Sequence, residues 1–274
     1  MSTRNKILVT GGTGTVGGQV AQLLAADADV RVLTRSPSSA LLPSRVEVVG
    51  GDLSDPATVA PALTGVDAVF LVWPFADADR APDIVDLIAE RARRVVYLSS
   101  AAVRDNERRI EELLEKSRLE WTFLRPNVFA ANTLRWAEQI RADGAVREPF
   151  GSAAMPPIHE HDIAAVAVHA LTRDGHAGAV YNLTGPELLT HADQARIIGD
   201  EIGRPVRWVE TSPESARQRM LGMGWAQEAV DGVLAAQAAM ITNPALPTSA
   251  VHEVTGTAAR TFRQWAADHA DDFR

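Results

Sequence analysis

The chain has 274 residues, 46% hydrophobic and 23% charged, enough for one large α/β unit with a well-filled core. Its formal net charge of −8 argues against non-specific nucleic-acid or anionic-membrane binding, and the absence of cysteine excludes disulfides, thiolate metal sites and cysteine nucleophiles. No apolar run reaches membrane-spanning length, and an apolar strand entered at Lys6 leaves no room for a secretory signal, so a cytoplasmic chain is expected.

The run Lys6-Ile7-Leu8-Val9-Thr10 predicts a buried parallel strand. It breaks at Gly11-Gly12-Thr13-Gly14-Thr15-Val16-Gly17-Gly18, and Val16, Val20, Leu23 and Leu24 then recur at helical spacing. Strand, glycine turn and helix is the context in which a glycine pattern signals a dinucleotide. Gly11 allows a sharp exit from the strand, Gly14 a close approach to a pyrophosphate, and Gly17 tight packing of helix on sheet. Backbone N–H groups of Thr13, Thr15 and Val16, at the positive end of the helix dipole, are then candidates to hold phosphates beside Thr10.

Further strands are predicted over residues 30–35, 46–49, 66–72, 94–100 and 120–124. Helices are predicted over 56–64, capped by Asp55, and over 83–92 and 107–117. This alternation implies a parallel, doubly wound sheet, whose ligands lie beyond the carboxyl ends of the strands. Residues 1–150 are expected to form the nucleotide-binding core. After about residue 140 the rhythm loosens. A helix over 160–171, a strand over 179–183, a helix over 191–202 and a strand over 206–209 precede a helical tail at 213–270. Residues 151–274 are expected to pack on the core as a small substrate-side region of the same structural unit.

An NAD-selective site places a carboxylate after the second strand, where it meets the ribose hydroxyls. Here that place holds Thr34-Arg35-Ser36. The Arg35 guanidinium suits a 2′-phosphate, so NADP(H) is preferred, with NAD(H) admissible. Asp52, in Gly51-Asp52-Leu53, is placed to meet the adenine edge, or else forms a turn. Trp73 and Pro74 follow the fourth strand and line the cofactor's path with Leu53, while Ser99 and Asn127 end the next two strands as cofactor contacts. Phe75, Phe129, Met220 and Trp225 are candidates for an apolar acceptor pocket. Ser100 is a weak candidate for handling the proton. His159-Glu160-His161-Asp162 stand too close in sequence to face one ion, so no metal is expected, and no G-x-S-x-G elbow points to a hydrolase.

These stretches carry a family likeness. The glycine loop, Gly51-Asp52-Leu53, Tyr97-Leu98-Ser99-Ser100 and Trp121-Thr122-Phe123-Leu124-Arg125-Pro126 occur in order. With Ile158-His159-Glu160-His161-Asp162-Ile163-Ala164 and Tyr181-Asn182-Leu183-Thr184-Gly185-Pro186, they resemble the NmrA-like branch of the atypical short-chain dehydrogenases/reductases. The resemblance implies a Rossmann-type core and either of two functions. One is an NAD(P)H-dependent reductase of quinone, azo, imine or carbonyl acceptors; the other is a non-catalytic protein that senses NADP(H). The Tyr-x-x-x-Lys pair of ordinary members is absent, because neither Tyr97 nor Tyr181 has Lys four residues on. A small-molecule substrate and a monomer or homodimer are expected.

Overall fold

A computed structural model describes residues 4–274. In chain order the elements begin with β1 (Lys6–Thr10), α1 (Thr15–Leu24), β2 (Asp29–Thr34), β3 (Glu47–Gly50), α2 (Pro56–Val59), β4 (Ala68–Val72), α3 (Ala81–Arg91), β5 (Arg94–Leu98), α4 (Asp105–Lys116) and β6 (Glu120–Pro126). There follow α5 (Ala137–Asp143), β7 (Ala145–Glu148), β8 (Ala154–Met155), α6 (Glu160–Thr172), β9 (Ala179–Leu183), β10 (Leu189–Thr190) and α7 (His191–Ile202). The chain ends with β11 (Arg207–Glu210), α8 (Pro213–Gly222), α9 (Gln227–Thr242), α10 (Ala250–Thr255), α11 (Phe262–Asp268) and α12 (Ala270–Phe273). Two compact units result. The first takes residues up to Asn127, Glu160–Leu183 and Ala250–Thr257; the second takes Val128–His159, Thr184–Ser249 and Ala258–Arg274.

The first unit is a seven-stranded sheet in the order β3-β2-β1-β4-β5-β6-β9, with every pairing parallel. The reversal of strand order beside β1 makes it doubly wound, as the alternating pattern implies. Ile7, Leu8 and Val9 are wholly buried, which is why β1 reads as an unbroken apolar run. Helix α1 buries Val16, Val20, Ala21 and Leu24, and packs on α6, which buries Ala164, Ala167 and Ala170. Each such Val or Leu contributes about 1.5–3 kcal/mol by leaving water. At the other end of the sheet the buried Arg94 donates to the carbonyls of Ala170, Leu171 and Arg173, and pairs with Glu120 and Asp174. A guanidinium there answers the negative pole of α6 and satisfies its last carbonyls.

The second unit has two small sheets, β7 with β11 in parallel and β8 with β10 antiparallel. Its core gathers Trp136, Ile140, Val146, Ile198, Phe262, Trp265 and Phe273. A separate small cluster of Ala216, Val230 and Leu234, with Phe150 and Met220 against it, holds α8 and α9 together. Phe150 has a φ of +63°, a left-handed conformation that a bulky residue adopts only when its surroundings impose it. The surroundings are visible. The Glu210 carboxylate accepts from the Phe150 N–H (2.6 Å), the Gly151 N–H (3.0 Å) and Trp208 Nε1 (2.7 Å).

His191 opens α7, stacks on Trp208 at 5.6 Å and shares a hydrogen bond between Nδ1 and the Phe150 carbonyl at 3.1 Å. Burial pushes its pKa down to about 4, helped by the charge of Arg135 and opposed by the Phe150 bond and by Glu210. An unfolded histidine titrates near 6.5, so between those values the unfolded chain takes a proton that the folded chain refuses. The neutral ring's contribution is complete above pH 6.5 and is lost as the pH falls towards 4, amounting to up to about 3 kcal/mol. His191→Gln should therefore flatten the stability profile over that interval, read as a smaller pH 7 to pH 5 change in the urea midpoint than in the wild type.

Candidate functional site

The cleft lies at the carboxyl edge of the first unit's sheet, over the strands on either side of the reversal. Thr10, Gly11 and Thr13 from the β1 turn, Leu33, Thr34 and Arg35 from the end of β2, Gly51, Asp52 and Leu53 after β3, and Val72, Pro74 and Phe75 after β4 line it. A second concavity continues along the outer side of the glycine loop, between Gly12–Thr15, Gln19 and Gln22 of α1, and Ser39, Leu41 and Leu42.

The loop is built around two close approaches. Gly11 adopts φ +63°, and a Cβ there would stand 3.1 Å from the Cβ of Val72. A Cβ on Gly17 would lie 2.3 Å from the Gly11 carbonyl oxygen, which no rotamer change relieves because the obstacle is backbone. Helix α1 thus starts against the strand end, with Gly14 as its N-cap. No side chain caps it, and its first turn carries no acidic residue. The leading N–H groups of a helix have no partner within it, so Thr15, Val16 and Gly17 keep theirs for an external oxygen at the positive pole. The donor set fits a diphosphate.

Arg35 is exposed at the end of β2 and sits in the same cleft as Asp52. Asp52 Oδ1 accepts from the Ser54 N–H at 2.9 Å, while its own N–H and carbonyl bond the Thr58 hydroxyl. These Ser54 bonds, and the charge of Arg35, hold its carboxyl below the ordinary range. Asp52 therefore forms the turn and faces the cleft together. Thr10 spends its hydroxyl on β4, accepting from the Val72 N–H at 2.7 Å and approaching the Val72 and Phe70 carbonyls. Val16 is buried, so only its backbone is available.

The remaining candidates are distributed. Trp73 donates Nε1 to the Asp77 carbonyl at 2.7 Å and meets Phe75 edge-on at 5.3 Å, and it is not among the cleft's lining residues. Asn127 ties its N–H to the Leu183 carbonyl beside β9. Ser99, buried at the end of β5, donates to Glu111 Oε1 at 2.7 Å. Ser100 accepts from the Ala102 N–H through Oγ at 3.2 Å, which leaves its own O–H to donate. In the second unit Phe129 is half-buried and bridges to Ile158, Met220 packs on the α8–α9 cluster, and Trp225 is half exposed. Among the described residues no group of three His, Asp or Glu side chains gathers to hold a metal.

Two features of the first unit escape a reading of motifs. Glu111, buried on α4 between Ile110 and Leu114, accepts from Ser99 and also from Arg125 Nε and Nη2 along one guanidinium edge, at 3.0 and 2.7 Å. It thereby locks helix α4 to the ends of β5 and β6, and it holds the Arg125 pKa above its usual value. A carboxylate on the apolar face of a helix, near an Arg-Pro strand end, was the available signal. Asn106 at the start of α4 donates Nδ2 to the Phe75 carbonyl at 3.0 Å, fixing one wall of the cleft from behind.

A glycine-cradled helix start at the reversal of a parallel sheet, with a cation after the second strand, defines a pyridine-dinucleotide-binding protein. The chain belongs to the NAD(P)H-binding family, whose model matches residues 11–174. It is 38% identical to the (4-alkanoyl-5-oxo-2,5-dihydrofuran-3-yl)methyl phosphate reductase of Streptomyces griseus, over 97% of this chain and 99% of that protein. It is 35% identical to the NAD(P)H azoreductase of Xenophilus azovorans, again over 97% and 99%. Its fold matches the Citrobacter sp. triphenylmethane reductase complexed with NADP(H) with a TM-score of 0.79 at 21% identity, covering 97% of this chain and 99% of the other.

Gly17→Ala should cost about 1–3 kcal/mol of stability by overpacking the turn and should weaken pyridine-nucleotide binding, checked together by thermal shift with and without NADPH. Glu111→Ala should cost about 3 kcal/mol, because it leaves the Arg125 charge without its counter-ion, and denaturant unfolding measures it.

Proposed function

We propose that this chain is an NADPH-dependent reductase that passes hydride to a small, mostly apolar or aromatic acceptor with a polarised double bond. The observation that carries this reading is the cleft itself: Arg35 where an NAD-selective site needs a carboxylate, beside an uncapped helix start. The two relatives above are named as reductases, one of an oxo-dihydrofuran phosphate and one of azo compounds, which supports a small-molecule acceptor.

The chain's own residues divide the work. The N–H groups of Thr15, Val16 and Gly17 hold the diphosphate, Arg35 faces the 2′-phosphate, Asp52 and Leu53 take the adenine side, and Pro74 and Phe75 form a wall. NADPH, when bound, supplies the hydride and its electron pair. Phe75 supplies an apolar contact to the acceptor, which sets geometry rather than protonation. The proton comes from solvent or through Ser100, whose O–H is free to donate.

What supports a route without a tyrosine acid is the state of both tyrosines. Tyr97 is buried within β5, and desolvation with the charges of Glu107 and Glu111 drives its pKa well above normal. Tyr181 shares a hydrogen bond with His176 Nδ1 at 2.7 Å, and burial raises its pKa too. The only lysines are Lys6 and Lys116, neither four residues beyond a tyrosine. An acceptor whose electrons are already delocalised needs little acid help, hence quinone, azo, imine or conjugated carbonyl types.

Stopped-flow mixing of the NADPH-loaded protein with a quinone, an azo dye, an imine and a ketone should show loss of the NADPH absorbance with at least one of them. Tight binding without oxidation by any class would replace the reductase with the cofactor-sensing reading. Arg35→Ala should weaken NADPH binding about tenfold or more while leaving NADH affinity within about twofold, measured by calorimetry with each nucleotide.

A further inference from the structure

At the amino edge of its sheet the first unit holds another groove. It lies at the far end of α1, about 15 Å along that helix from the glycine loop. The ends of α1 and α6 flank it, beside the residues that lead into β1 and β2. Its volume is about 470 Å³, the size of a pocket for a small molecule. Leu23, Leu24, Ala28 and Val168 supply an apolar lining, while Arg4, Asp27, His169 and Arg173 supply charge and hydrogen-bonding groups. All of these residues belong to the first unit.

The two arginines are uncommitted. Among the described residues no side-chain hydrogen bond or ion pair engages Arg4 or Arg173. An arginine at a helix end ordinarily answers the last carbonyls. Here other groups already do so. Arg94 donates to the carbonyls of Ala170, Leu171 and Arg173, and the Thr172 hydroxyl donates to that of Val168. The Arg173 N–H serves the His169 carbonyl, and at the end of α1 the Leu24 carbonyl accepts from Asp27 and Ala28. Asp27, the acid of the lining, pairs with neither arginine.

His169 is fixed from behind by α10. The Val254 carbonyl can only accept, so the 2.9 Å contact puts the ring proton on Nδ1 and leaves Nε2 as an acceptor. Burial, with the charge of Arg173, holds the pKa of the ring below its usual value. Two guanidiniums against one carboxylate leave the lining net cationic, in a chain of formal charge −8.

We propose that this groove binds an organic anion, a carboxylate or phosphate monoester carried on an apolar body. Arg4 and Arg173 take the anionic head, since a guanidinium fork matches either group with parallel N–H donors. Leu23 and Val168 take the apolar body, which distinguishes the ligand from a bare inorganic ion. The diphosphate donors lie at the opposite end of α1, so the groove is separate from the cofactor cleft. Its assignment rests on no reading of the reaction.

The test titrates the full chain calorimetrically, with and without saturating NADPH. The probes are 4-phenylbutyrate, phenyl phosphate, 4-phenylbutanamide and inorganic phosphate. Both organic anions should bind at least about tenfold more tightly than the amide or inorganic phosphate, the gain expected of one charge-assisted pair. Combining Arg4→Gln with Arg173→Gln should remove the advantage over the amide and leave the melting temperature and NADPH affinity unchanged. Leu23→Ser should weaken both organic anions. The ring resonances of His169, assigned through His169→Gln, should move as the site fills. The tighter of the two organic anions assigns the head group. Equal binding of acid and amide, affinity that survives the double substitution, loss of binding under saturating NADPH, or unmoved His169 resonances overturns the site.

Discussion

Helix α1 meets the end of β1 with no room for a side chain between them, and the site depends on that contact. The Gly17 Cα stands where a methyl group would lie 2.3 Å from the Gly11 carbonyl. The approach brings the first N–H groups of α1 to the carboxyl edge of the sheet, where β2, β3 and β4 also end. Everything else in the cleft is arranged by strand register: β1 pairs with β2 and β4, which places Arg35 and Val72 on opposite flanks of one glycine turn. The sheet order is therefore a positioning device as well as a core.

Behind that edge, helix α4 acts as a strut. Asn106 at one end holds the Phe75 carbonyl, and Glu111 a turn and a half further on holds Ser99 and Arg125. In ordinary short-chain dehydrogenases the corresponding helix supplies the acid pair. Here its inward face supplies a carboxylate bound to an arginine, an arrangement that fixes strand ends.

Much of this was legible in the residues, and for identifiable reasons. Unbroken apolar runs such as Val69-Phe70-Leu71 can only be buried parallel strands once helices alternate with them. Asp55 and Pro56 announced the start of α2, and Asp55 does accept from the Ala57 N–H. The glycine spacing located the tight turn between β1 and α1 because its flanks were right. Strands β7, β8 and β10 were not visible, since two to four residues leave no period to detect and their partners lie far along the chain. Nor was the role of Glu111: it depends on which side chains arrive from elsewhere, and spacing along a sequence carries no record of that.

The chain crosses between its two units five times, and the first unit receives its last segment, Ala250–Thr257, only near the end. The edge strand β9 likewise arrives after a long excursion through the second unit. During synthesis the nucleotide-binding half thus waits, with β6 as a bare sheet margin, until more than fifty further residues have left the ribosome exit. A nascent chain of this design has a window in which an unpaired β6 is open to wrong partners, and chaperone demand should be concentrated there.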